Sequence, residues 1–117
     1  MSKNKETVEK YMDGFRKSDH AQILSCLTDD VEWDIPGAFH KVGKPAFDQE
    51  IENEAFMGRP AITIKRLVEE NGTVVAEGAV RTQKKTGEFL ELAFCDVFIM
   101  RDSKIAKLTS YLMELKR

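Results

Sequence analysis

Apolar and polar positions change period part-way along the chain. Up to Pro60, helical spacing dominates; from Ala61 onward, strand-like alternation takes over. Val8, Tyr11, Met12 and Phe15 form one apolar face and predict a helix from Lys5 to Lys17. Asp19 with Gln22 three residues later resembles a capping box and predicts a second helix, with Ile23, Leu24 and Leu27 inward and Asp29-Asp30 at its end. Val31 to Ile35 alternates apolar and acidic side chains, the period of a half-buried strand. Pro36-Gly37 stops that strand and opens a loop carrying Phe39 and His40. A third helix is expected after Gly43, with Pro45 in its first turn, Phe47, Ile51 and Ala55 inward, and Gly58 and Pro60 closing it.

Three turn signals divide the second half: Asn71-Gly72, Thr86-Gly87 and Asp102-Ser103. They predict strands Ala61–Glu70, Thr73–Lys84, Glu88–Arg101 and Lys104 to Leu115, an antiparallel meander joined by the short strand near Trp33. Helices first and strands afterwards argue for an α+β fold rather than alternating α/β. The strand from Leu90 to Met100 is apolar on both faces: Leu90, Leu92, Phe94, Phe98 and Met100 share one parity, and Ala93, Cys95, Val97 and Ile99 the other. One face can pack on the helices. Covering the other is expected to take a second subunit, a homodimer through the open sheet face, or else a second layer of the same chain.

Composition narrows the class. At 117 residues the chain suffices for one domain, 1–117, and not for two independent cores. With 42% hydrophobic and 32% charged residues and a formal net charge of -2, nothing draws it to nucleic acid or to an anionic membrane. The polar start carries no secretory pattern, so a cytoplasmic location is the expectation. Cys26 and Cys95 read as buried thiols rather than a disulfide framework, and His20 and His40 lack metal-ligand spacing. No phosphate loop, nucleophile elbow or cofactor motif is visible, so neither a cofactor nor a metal is expected.

The candidate chemistry centres on Asp96, which shares the parity of Phe94 and Phe98. Aimed into an apolar interior, its carboxyl group should be held neutral by desolvation and could donate a hydrogen bond to a ligand oxygen; otherwise it bonds a backbone amide or pairs with an arginine. Tyr11 can pack its ring and extend its hydroxyl to the same ligand, and Trp33 offers a flat wall. Phe15, Phe47, Phe56, Phe94, Phe98 and Leu112 complete the expected apolar lining. His40 is a candidate acid or base. Glu77 and Arg81, of one parity, either line the pocket or pair on the opposite face.

Tyr11, Asp29-Asp30, Trp33, Pro36-Gly37, Gly43, Asp96-Val97-Phe98 and Lys104-Ile105 together resemble the nuclear-transport-factor-2-like superfamily, in its SnoaL-like branch, named for a polyketide cyclase. The resemblance implies a cystatin-like cone, with three N-terminal helices packed on a curved, mainly antiparallel sheet enclosing a pocket, and frequent dimers. Ketosteroid isomerase, of the same superfamily, makes its oxyanion hole from a tyrosine on the first helix and a protonated aspartic acid on a late strand. Tyr11 and Asp96 fall on those positions. That enzyme's base is an aspartate just before the proline after the first strand, where this chain has Ile35. The superfamily's epoxide hydrolases use an Asp-Arg-Asp trio, and Ser110 stands where the last aspartate is expected. Three functions follow: an isomerase or cyclase polarising a carbonyl or enolate oxygen, a non-catalytic binding protein for a small apolar molecule, or a dimeric interaction module.

Overall fold

The computed structural model describes residues 2–52 and 56–115, and of Phe56 and Met57 the backbone alone. Helix α1 (Lys3–Lys17) begins at Ser2, whose hydroxyl accepts from the Lys5 amide at 3.1 Å. It ends at Ser18, in the left-handed region at φ 53°, whose amide reaches back to the Gly14 and Phe15 carbonyls. Helix α2 (His20–Ser25) follows, capped as expected by the Asp19 carboxylate on the Gln22 amide at 3.0 Å. The two helices meet at Gly14, where an added Cβ would stand 2.7 Å from the Ile23 side chain. Strands β1 (Leu27–Ile35) and β2 (Phe39–Val42), helix α3 (Lys44–Ile51), and strands β3 (Phe56–Glu70), β4 (Thr73–Lys84), β5 (Phe89–Arg101) and β6 (Lys104–Glu114) complete the chain.

The strands form one curved sheet in the order β2-β1-β6-β5-β4-β3, antiparallel throughout except where β1 runs parallel to β6. The helices lie against its inner face. Arg16 on α1 donates to the Ile62 carbonyl of β3 at 3.0 Å, and α3 packs on β1. Between the layers sits a core that includes Val8, Ile23, Leu27, Val31, Phe98, Ile105 and Leu108. The α+β class, the helix-first order and the three tight turns agree with the sequence reading.

Three local expectations are corrected. Leu27 is not on α2: Cys26 caps that helix and Leu27 starts β1, because the parallel ladder to β6 pairs Leu27 with Ile105. Asp29-Asp30 therefore lies within a strand, where Arg101 holds Asp30 at 2.6 Å. Phe39 and His40 are on a strand rather than a loop, since the turn at Gly37 (φ 85°) closes a hairpin pairing Ile35 with Phe39. Finally, α3 ends at Ile51, and Gly58 and Pro60 belong to β3. An edge strand tolerates both residues: Gly58 at φ 72° sits in a register shift, and an edge proline forfeits no indispensable ladder bond. Ala55 lies outside the described residues.

Candidate functional site

Between the helices and the inner face of β3–β6 lies a cavity of about 360 Å³. Its walls are apolar: Met12 and Phe15 from α1, Ile62 from β3, Val80 from β4, Leu92 and Phe94 from β5, and Leu112 from β6. The polar groups along it are Tyr11, Asp96 and Ser110 in the buried part, with Ser18, Glu52 and Thr82 elsewhere on the lining.

Asp96 reaches this place by strand alternation. Phe94, Asp96 and Phe98 point inward from β5, whereas Cys95, Val97 and Ile99 point out. The Asp96 side of β4 is Ala76, and on β6 its partner is Ser110. Asp96 is 8% exposed, and burial pushes its carboxyl pKa up to about 7, against a smaller opposing hydrogen bond from Ser110. Trp33 on β1 donates its indole N–H to the Ser110 oxygen at 3.1 Å. The Tyr11 phenol is also raised well above its ordinary value, first by burial and then by the Asp96 charge, so it remains a donor at neutral pH.

The indole is held by an aromatic cage. Trp33 stacks on Phe47 at 4.3 Å and 24°, and meets Phe39 and Phe15 edge-on at 5.3 and 6.1 Å. Tyr11 is held edge-on by Phe15, Phe47 and Phe98 at 5.1, 6.2 and 5.5 Å. Such packing orients both polar tips without using their hydrogen-bonding groups.

A SnoaL-like domain model matches residues 8–108. The chain belongs to the SnoaL-like family. Solved structures repeat its fold. TerC, co-crystallised with polyporic acid, shares 24% identity over 93% of this chain and 90% of that one, with a TM-score of 0.85. An LEH-like epoxide hydrolase of M. tuberculosis shares 16% over 95% and 83%, at 0.83. A nuclear-transport-factor-2-like protein of unknown function from Burkholderia pseudomallei shares 20% over 97% and 92%, at 0.86. At these identities the likeness establishes the fold, that of the nuclear-transport-factor-2-like superfamily. A search of curated proteins found no match.

Against this SnoaL-like frame the sequence-derived candidates separate. Asp96, Tyr11, Trp33, Phe15, Phe94 and Leu112 come together on the cavity. Phe47 and Phe98 are buried behind Trp33 and Tyr11 and support them. The Phe56 side chain lies outside the described residues. His40 is not on the cavity lining. It alternates outward on β2, half-exposed, with Nε2 3.4 Å from Glu32. Glu77 and Arg81 occupy the outer face: Glu77 lies 3.7 Å from Arg66, and Arg81 covers the Phe89 ring at 4.1 Å. Cys95 is also on that face and only partly buried, so it departs from the expected buried thiol, while Cys26 is buried.

Several lining residues are not among the sequence-derived site candidates, and Ser110 and Glu52 are two that bear on the chemistry. Ser110 reads only as a missing aspartate, because plain counting outward from the Asp102-Ser103 turn sets Thr109 opposite Asp96; the register shift between Ile99 and Met100 puts Ser110 there instead. Glu52, at the end of α3, carries no local signal. Its carboxylate is 2.7 Å from His20 Nε2, and His20 Nδ1 is 2.5 Å from Asp48. Ile35 lines the cavity, and Asp34 has the opposite parity on β1. Among the described residues, no group of three His, Cys, Asp or Glu side chains is arranged to hold a metal, and no helix is long and apolar enough to cross a membrane.

Proposed function

We propose that residues 1–117 act as one SnoaL-like domain that binds a small, mostly apolar molecule through an acceptor oxygen placed against Asp96 and Tyr11. The observation that carries this reading is a buried carboxyl group on the same mostly apolar cavity as a buried phenol, with burial pushing its pKa up to about 7. A neutral acid and a phenol are both donors, and a carbonyl, enolate or phenolate oxygen is what two donors recognise. That TerC was crystallised with polyporic acid supports a small-molecule role for this fold. The protein is expected to work in the cytoplasm.

An isomerase or cyclase would need a base as well. His40 and Glu77 lie off the cavity, and Ile35 cannot serve. Glu52 is the remaining carboxylate on the described lining. This shortage favours binding without proton abstraction as the second reading.

The two readings share one test. Trp33 is the sole tryptophan, so its fluorescence reports occupancy of the cavity. A series of naphthols, bound as their naphtholates, should quench it, and Asp96→Asn, which replaces the acid by a weaker amide donor, should weaken their binding by roughly tenfold. Equal affinity in the variant would remove Asp96 from recognition. Proton exchange into a bound ketone, lost in Glu52→Gln, would favour the enzyme.

The outer face supports a homodimer. Val68, Ile99, Tyr111 and Met113 project from it, with Tyr111 53% and Met113 68% exposed. A second copy of the chain is the proposed occupant of these apolar positions, which lie among the Arg66, Glu77 and Arg81 charges of the same face.

A further inference from the structure

We propose that Ser110 is a positioning residue: held by the Trp33 indole, it directs the Asp96 proton into the cavity and thereby makes the site select ligands by an oxygen that accepts rather than donates. This rests on the ligand-binding role proposed for Asp96 and adds the device that sets its direction.

A serine hydroxyl has one proton to donate and lone pairs to accept with, whereas an indole N–H only donates. The Trp33 contact at 3.1 Å therefore uses Ser110 as acceptor and leaves its single proton for another partner. That partner is Asp96, directly across the β5–β6 ladder and hydrogen-bonded to Ser110. One carboxyl oxygen of Asp96 is thus occupied as an acceptor. When Asp96 is protonated, its proton resides on the other oxygen. The indole cannot easily swing away and reverse the chain, because Phe47, Phe39 and Phe15 pack around it. All three polar groups are buried, so bulk water does not compete for these bonds.

The groups around Asp96 reinforce this polarity. Tyr11 is the titratable group facing it from the helices, with Cys26 near the phenol, and both stay protonated near neutral pH because burial raises them. Ala76 flanks it on β4, Ser110 on β6 and Trp33 on β1, none of them charged. Cys95 neighbours it in sequence but faces outward. Glu52 is the other carboxylate along the lining, and its side chain is 63% exposed and paired with His20. Below the Asp96 titration, the chain Trp33–Ser110–Asp96 ends in a donor. Above it, the same carboxyl group becomes an acceptor, and an aprotic ketone should lose its anchor.

Two readouts test this. The first needs no ligand: the Asp96 carboxyl carbon is titrated by NMR in the wild type, Ser110→Ala, Ser110→Cys, Ser110→Thr and Trp33→Phe. Losing the Ser110 donor should raise the midpoint by about 1 unit, threonine should restore it, and Trp33→Phe should move it the same way by less. The second compares 2-acetylnaphthalene with 2-ethylnaphthalene, of similar shape without the oxygen, at pH 6 by calorimetry. The wild type should prefer the ketone, and Ser110→Ala should erode that preference by roughly threefold to tenfold. Ser110→Cys, close in size and a poor donor, repeats the measurement should the alanine variant fold badly. An unmoved midpoint together with an intact preference in both serine variants would overturn the positioning role. A wild type with no preference for the ketone would instead overturn the proposed binding function, and the titration would still decide the relay.

Discussion

The ring of Phe94 lies over Gly78 on the neighbouring strand and takes the space a side chain there would need. A Cβ on Gly78 would stand 2.9 Å from two Phe94 ring carbons and 2.0 Å from the Thr63 carbonyl oxygen. The absent side chain lets β3 and β4 close tightly while Phe94 lines the cavity. Since one of the obstructing atoms is backbone, relaxation is limited. Gly78→Ala should destabilise the fold by at least about 3 kcal/mol, read as a lower urea midpoint. A midpoint within error of the wild type would mean the strands can part there without cost.

Asp96 makes stability depend on pH in an uncommon direction for a carboxylate. Its folded pKa of about 7 lies above the ordinary 3.8, so between those values the folded chain holds a proton that the unfolded chain has lost. Stability therefore falls as pH rises through this window, by a contribution on the order of 4 kcal/mol in total. Asp96→Asn should flatten this slope and should be the more stable protein above pH 7. Chemical denaturation at several pH values measures it, and a wild-type curve rising with pH over the whole window would contradict the burial.

His20 adds a second dependence beside the cavity. Asp48 and Glu52, each hydrogen-bonded to one ring nitrogen, raise its pKa above the ordinary 6.5. A raised histidine stabilises fully below 6.5, and that stabilisation is lost as pH climbs through the folded value. In an Asp96→Asn background, where the carboxyl group no longer titrates, the residual loss of Tm on the alkaline side should vanish in His20→Gln. Persistence of that loss would assign it to another group.

The outer face gives a prediction about assembly. Tyr111→Glu adds a charge to the apolar patch without touching Asp96, Tyr11 or Trp33. Sedimentation at micromolar concentration should show a dimer for the wild type and a shift toward monomer for the variant. A monomeric wild type would leave the patch without its proposed partner.

Much of this was legible one residue at a time. The Asp19 cap, the Asn71-Gly72 turn and the parity of Phe94, Asp96 and Phe98 depend on neighbours a few positions away, and local spacing encodes them. The β2 hairpin leaves little local signal, because Phe39–Val42 is short and pairs along one edge only. The end of α3 is not legible locally, because Gly58 and Pro60 signal a break equally well for a helix and for a bulged edge strand.

The linear order of side chains by itself determined the α+β class, the turns, and an acid aimed inward from an apolar strand, because periodicity and turn chemistry are properties of short segments. Only the tertiary structure decided which groups share the cavity. Parallel pairing of β1 with β6 brings Trp33 to Ser110, 77 positions away in the chain, and the β5–β6 register sets Ser110 against Asp96. His40 has the more reactive side chain of the two, yet the β2 pleat turns it to solvent. A hydroxyl becomes functional by what surrounds it, and those surroundings come from strands the local pattern does not order.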